Sequence, residues 1–401
     1  MPRGARLKLW EKWDEDRKTK TFLSNGRDGL RHFGARSAFF LHVRRINLHF
    51  SRLTRIRESP YFAATKEKPM MKRMLPPLVG VVLLVAAGSA GAAKVSILVD
   101  LDPNNADQTV IVETVTADAS GLLYVCDRVT GNVIRIDPKD PKLVIVGRIE
   151  AREIDGKKVR ADSSGLVLSR DGDLYLTSGA FREIVRIKKA DLNPGQPGKA
   201  ETFATGTEGA NGIAFDKNGI LYVSGGRNGK IYRIGKNGGA AEDWAQIELH
   251  TRTLPDGKTQ QAIPANGLVF DKKGETLYVA DTARGAIWKV PVEVGGKAGK
   301  PVLIAQSPLL EGADGPDFDP QGRLWVAANE RNAIVRVTLD GKVEEIAKND
   351  SKGPLEFPTS VVFVGNTAYV SNFDTPRRDN LAADGKTSLD GIGASIVKIE
   401  P

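Results

Sequence analysis

Asn266-Gly-Leu-Val-Phe-Asp-Lys-Lys-Gly-Glu-Thr-Leu-Tyr-Val-Ala-Asp281 holds two short apolar strands joined by an Asp-to-Gly turn. The same pattern occurs in Asn211-Gly-Ile-Ala-Phe-Asp-Lys-Asn-Gly-Ile-Leu-Tyr-Val-Ser224 and in Asp314-Gly-Pro-Asp-Phe-Asp-Pro-Gln-Gly-Arg-Leu-Trp-Val-Ala327. Weaker copies begin at Glu113, Ser164 and Thr359. A third strand follows each copy: Val133-Ile-Arg-Ile, Ile184-Val-Arg-Ile, Ile231-Tyr-Arg-Ile, Ile287-Trp-Lys-Val, Ile334-Val-Arg-Val and Ile396-Val-Lys-Ile. A more variable fourth strand comes after most of them, as in Leu143-Val-Ile-Val and Pro301-Val-Leu-Ile.

Repeats of 45 to 55 residues made of short alternating strands indicate antiparallel meanders. Four strands per repeat is the unit of a propeller blade, so the expected fold is an all-β, six-bladed β-propeller. The sixth copy reaches the C-terminus after its third strand. Val95-Ser-Ile-Leu-Val-Asp100 has strand character and no partner of its own. It is expected to complete the last blade and close the ring, which protects the strand edges. Five or seven blades would leave a strand unpaired.

The formal charge of +9 divides unevenly. Residues 1–93 hold 19 Lys and Arg against seven Asp and Glu, whereas residues 94–401 hold 39 against 42. The expected fold is therefore slightly acidic and gives no electrostatic reason to bind nucleic acid. Cys126 is the only cysteine, and of four histidines only His250 lies within the repeats. Cys126 sits in an apolar strand and reads as core. Cysteine–histidine zinc sites and histidine triads are disfavoured, leaving oxygen chemistry.

Residues 70–93 read as an export signal. Met71-Lys-Arg precedes an apolar run from about Leu78 to Ala87, and Gly-Ser-Ala-Gly-Ala-Ala93 supplies small residues for cleavage. The run is shorter than the ~20 residues of a spanning helix, although an uncleaved anchor is the alternative. No stable membrane insertion is expected after cleavage. Residues 1–69 are a basic extension outside the fold, read as an over-long start or else a cytoplasmic tail. The expected layout is thus extension 1–69, signal 70–93 and propeller 94–401, with a periplasmic or extracellular location.

The residue opening the first strand of each copy can be compared around the ring: Glu113, Ser164, Asn211, Asn266, Asp314 and Thr359. In a propeller these ends converge on one channel mouth. All six carry side-chain oxygens, and two are carboxylates. Hard cations take several oxygen ligands, including carboxylates and amide carbonyls. Glu113, Asn211, Asn266 and Asp314 therefore form a candidate cage, with Ser164 and Thr359 expected to line its wall. A single Asn-Gly is more often a turn than a ligand; the shared register of six oxygen-bearing residues is what favours the cage. The recurring Asp-x-x-Gly, as in Asp118–Gly121 and Asp319–Gly322, reads as a hairpin turn rather than a calcium loop. Asp127 and Asp281 read as strand ends, and Trp288 and Trp325 as packing.

These motifs resemble the family of gluconolactonase, regucalcin (senescence marker protein) and luciferin-regenerating enzyme across about residues 95–401. The resemblance is clearest around Asn266 and Asp314. It implies one divalent metal at the mouth, Ca²⁺ first, with Mg²⁺, Mn²⁺ or Zn²⁺ as alternatives. It further implies Glu113, Asn266 and Asp314 as ligands and Asn211 in contact with metal or substrate. The implied activity is hydrolysis of a lactone or related ester, with Asp314 activating water and Glu113 the other candidate base. One departure stands out: Glu113-Thr-Val replaces the family's Glu-Gly-Pro. The segments Trp244–Pro264 and Asp374–Gly393 are also longer than ordinary connections and are expected to shape substrate choice. Competing classes are a non-catalytic propeller similar to NHL-repeat proteins, and an enzyme of the strictosidine synthase or paraoxonase type. The sequence is silent on oligomeric state.

Overall fold

The computed structural model describes residues 93–103, 109–253, 259–350, 352–373 and 392–400. The expected extension, nearly all of the export signal and most of the Asp374–Gly393 segment lie outside them. Among the described residues, no helix is long and apolar enough to cross a membrane.

The described chain is all-β, with short 3₁₀ turns between strands. Val112–Ala117, Leu123–Asp127, Asn132–Asp137 and Asp140–Arg148 pair in sequence as an antiparallel meander. Leu166–Leu168, Leu174–Ser178, Glu183–Ile187 and Glu201–Thr205 form the next. A third runs through Ile213–Phe215, Leu221–Ser224, Lys230–Ile234 and Glu242–Gln246. Leu268–Phe270, Thr276–Asp281, Ala286–Pro291 and Val302–Gln306 follow, then Ala313–Phe318, Leu324–Ala328, Ala333–Val337 and Val343–Lys348. In the last meander Pro358–Val364 pairs with Thr367–Asn372, and that strand with Ser395–Glu400. The fourth strand there is Lys94–Asp100, which lies antiparallel to Ser395–Glu400.

The turn between first and second strands explains the recurring Asp-x-x-Gly. Gly121, Gly219, Gly274 and Gly322 each donate an N–H to the carbonyl of the Asp three residues earlier. The Asp side chain then accepts further backbone N–H bonds, as Asp118 does from Ser120 and Leu122. These aspartates are turn-formers, not ligands.

Packing joins each meander to the next. Second-strand aromatics meet first-strand phenylalanines edge to face: Tyr175 with Phe215 at 5.1 Å, Tyr222 with Phe270 at 5.0 Å, Tyr278 with Phe318 and Trp325 with Phe363 at 5.2 Å. Such pairs add roughly 1 kcal/mol beyond the area that they bury. One apolar cluster combines Val112, Leu123 and Val125 with Tyr369 and Ile396, joining the first meander to the last. Cys126 is buried among Tyr124, Val133 and Leu176. Burial pushes its thiol up to about 12, which fits a core residue better than a nucleophile.

Candidate functional site

The starting ends of the first strands touch in succession. Thr114 Oγ1 donates to the Ser164 carbonyl at 2.7 Å. Ser224 Oγ donates to the Asn266 carbonyl at 2.6 Å. The glycines beside the register residues permit close approach: a Cβ on Gly212 would lie 2.7 Å from Asn266 O, and one on Gly267 2.5 Å from Gly315 Cα. Thr359 Oγ1 donates to the Glu113 carbonyl at 2.6 Å, which returns the succession to Glu113. The departure at Glu113-Thr-Val also has a local account. Where the second to fifth copies place glycine, Thr114 makes contact through its hydroxyl.

Across this set, Asn211 Nδ2 donates to Glu113 Oε1 at 3.3 Å, although 98 residues separate them. Asp314 is buried. Burial raises its carboxyl well above the usual range, and the charge of Glu113 raises it further. Hydrogen bonds from Asn329, the Gly315 N–H and Asn266 oppose that rise. Asn211 and Glu113 are thus hydrogen-bonded to each other, and the Asp314 carboxyl responds to both Glu113 and Asn266. Thr359 is differently engaged, its hydroxyl bonding the Glu113 and Ser371 carbonyls. Ser164 is buried and meets the set through its backbone carbonyl.

The orientation of Asn266 comes from a neighbouring loop. Its Nδ2 donates to Thr282 Oγ1 at 2.9 Å, and that hydroxyl donates to the Ala313 carbonyl at 2.6 Å. Because the Thr282 proton is committed to Ala313, its oxygen can only accept, and the Asn266 amide nitrogen is the group that faces it. Asn266 Oδ1 is left buried, without a hydrogen-bond partner among the described residues. A buried carbonyl oxygen without a partner costs roughly 1–3 kcal/mol, and a cation ligand would offset that cost.

Two more residues reach this set from just past the second strands, Asn329 and Arg128. Asn329 Nδ2 donates to Asp314 Oδ2 at 3.1 Å. Arg128 pairs with Glu113 Oε2 on one side and with Asp162 on the other. Burial works against the charge of Arg128, but the Glu113 and Asp162 carboxylates outweigh it and raise its pKa. The signal for these residues is positional: second strands run back toward the starting end of first strands, so residues just past them reach the same mouth. The neighbouring Asp127 and Asp281 are committed elsewhere. Asp127 accepts from the Ile111, Val129 and Thr130 backbones, and Asp281 from Arg284 and the Trp288 indole.

The long Trp244–Pro264 connection carries a hairpin of Thr251–Thr253 with Thr259–Gln261. It is tied to the loops after the second strands by Arg227 to the Gln261 carbonyl at 2.7 Å and Ala283 N to the Ile263 carbonyl at 3.0 Å. It therefore sits at the same end as the register residues.

Among the described residues, no three His, Cys, Asp or Glu side chains are grouped to hold a metal. The donor set suits a hard cation in a different way, with two carboxylates and an unpartnered amide carbonyl. Asp314 and Asn266 fit that role. Glu113 fits it in competition with the Arg128 guanidinium.

Residues 256–372 match the family model described as SMP-30/Gluconolactonase/LRE-like region. A 6-deoxy-6-sulfogluconolactonase of Pseudomonas putida is 23% identical over 272 residues, 66% of this chain and 81% of that protein. Among solved structures, a luciferin-regenerating enzyme aligns at 16% identity and TM-score 0.50, covering 77% of this chain and 96% of that one. Regucalcin of Agrobacterium tumefaciens, described as a calcium-binding protein, aligns at 17% identity and TM-score 0.50 over 76% of this chain and 93% of that one. A PQQ-bound aldose sugar dehydrogenase of Streptomyces coelicolor aligns at 19% identity and TM-score 0.51, covering 77% and 98%. That unrelated chemistries share the architecture shows that these structures speak for the fold alone. Residues 256–372 thus match the family that the repeat motifs resemble.

Proposed function

We propose that this protein is a six-bladed, ring-closed propeller that hydrolyses a lactone or related ester with one divalent cation at the channel mouth. The observation that carries the site is the buried Asn266 Oδ1, without a donor among the described residues, beside the buried Asp314 and its neighbour Glu113. The match at residues 256–372 and the similar sulfogluconolactonase support lactones of sugar acids as the substrate class. The pairing of Lys94–Asp100 with Ser395–Glu400 supports closure of the ring.

Asp314, Asn266 and Glu113 would hold the cation. When bound there, a divalent cation supplies Lewis-acid polarisation of the ester carbonyl. Asp314 is the group that takes the proton of the attacking water, its second oxygen held by Asn329 Nδ2. Asn211, Ser164 and the hairpin at Thr251–Gln261 lie where a substrate would be oriented. Ca²⁺ leads because the donors are oxygens only. Residues 70–93 serve as the export signal, supported by their basic start, apolar run and small-residue end.

The test is hydrolysis of a panel of sugar-acid lactones by the full chain, stripped of metal and refilled with Ca²⁺, Mg²⁺, Mn²⁺ or Zn²⁺. Turnover returns with one ion and falls about 10²-fold or more in Asp314→Asn. Cation binding without any turnover would make the protein a ligand-binding propeller instead.

A further inference from the structure

We propose that Arg128 is a built-in competitor of the divalent cation for Glu113, with Asp162 as the place where its guanidinium rests when the cation is bound. This rests on the cation reading above and deepens it.

Arg128 begins the loop after Leu123–Asp127, and its backbone N–H donates to the Ile111 carbonyl at 2.8 Å. Its side chain is mostly covered and lies 5.4 Å from the centre of the Phe373 ring. One terminal nitrogen meets Glu113 Oε2. The other terminal nitrogen and Nε, the latter at 3.2 Å, both meet Asp162 Oδ1. Glu113 is nearly covered, at 10% side-chain exposure, whereas Asp162 is 42% exposed. A row of ionisable groups therefore runs inward from water, with the guanidinium of Arg128 between Asp162 and Glu113 and with Asp314 beyond Glu113.

A cation bound by Glu113, Asn266 and Asp314 would have the guanidinium as its immediate neighbour across Glu113. Two positive charges at that range repel strongly where water is scarce. Arginine cannot relieve the repulsion by losing its proton. It can do so by releasing Glu113, and Asp162 already accepts two of its N–H groups. The exposed position of Asp162 makes that shift inexpensive, because the charge moves toward water rather than deeper into the protein. In the absence of cation Arg128 neutralises Glu113, which removes the cost of an uncompensated buried carboxylate. The guanidinium thus keeps the empty site stable and weakens cation binding.

The test is calorimetric titration of Ca²⁺ into the chelator-stripped full chain, with thermal unfolding of each variant as a check of folding. Arg128→Gln binds at least tenfold more tightly than the parent, and its cation-free form unfolds at lower temperature. Arg128→Lys keeps the charge and stays within about threefold of the parent. Asp162→Asn, which removes the resting place and one negative charge, binds severalfold more weakly. Equal affinity in the parent and Arg128→Gln, or weaker binding in Arg128→Gln, overturns the competition while leaving the cation site standing. Should Arg128→Gln fail to fold, unchanged affinity in Asp162→Asn overturns it instead. Absence of Ca²⁺ binding in every protein, Arg128→Gln included, removes the cation site and this inference with it.

Discussion

Asn266 donates its side-chain N–H to the Thr282 hydroxyl at 2.9 Å, and this bond leaves the Asn266 carbonyl oxygen without a donor among the described residues. Thr282 can only accept there because its proton is given to Ala313 O. Thr282→Val preserves the shape and frees the amide to rotate. Cation affinity should drop about 10–100-fold, as for other residues that orient ligands. Thr282→Ser should restore most of it. Calorimetric titration of Ca²⁺ measures both, and equal affinity in Thr282→Val would show that Asn266 is not a ligand.

Close approach of neighbouring first strands depends on Gly267. A Cβ there would stand 2.5 Å from Gly315 Cα and 2.7 Å from Pro316 Cδ. Both obstacles are backbone or ring atoms, so no side-chain rotation relieves the clash. Gly267→Ala should destabilise the fold by about 1–3 kcal/mol, the usual cost of overpacking. Chemical denaturation gives the value. A neutral effect would mean that the strands separate readily, and that the mouth is not rigid.

Asp281 has no exposed surface and accepts from the Arg284 backbone, the Arg284 guanidinium and the Trp288 indole at 2.9–3.1 Å. Asp281→Ala strands all three donors and leaves Arg284 unpaired on that side. The expected loss is about 3 kcal/mol, with unchanged turnover in the folded fraction. Loss of turnover without loss of stability would move Asp281 from support into the site.

Stability should also vary with pH through Asp317. Burial pushes its carboxyl up to about 7, against backbone N–H bonds from Phe318 at 2.8 Å and Phe363 at 3.1 Å. Between pH ~4 and ~7 the native state therefore holds a proton that the unfolded chain has lost. Stability falls as pH rises through that window. Asp317→Asn should flatten the fall, seen as thermal midpoints that change less between pH 5 and 8. An equally steep profile in that variant would assign the effect to other groups.

The repeats announced the meanders because their strand pattern is local. Apolar alternation and Asp-to-Gly turns depend on residues a few positions apart, and the strands at Asn211, Asn266 and Asp314 were readable for that reason. The register of Glu113, Asn211, Asn266 and Asp314 was equally legible, since strand direction places equivalent residues at one end. Family resemblance added the expectation that Glu113, Asn266 and Asp314 act as ligands, and Cys126 declared itself as core by its apolar neighbours.

Partnership across the mouth was not local and so was not legible. Nothing in the sequence near Glu113 says that Arg128 will claim one of its oxygens, or that Asp162 will take the other side of the guanidinium. Thr359 looked like a mouth residue, yet its hydroxyl is bonded to the Glu113 and Ser371 carbonyls. Asn329 and Thr282 gave no repeat signal because they stand just past the second strands, where loop lengths differ from copy to copy. Strand periodicity dictates which end of a meander a residue occupies, while the charges and hydrogen bonds it meets there come from chain segments brought together only by folding.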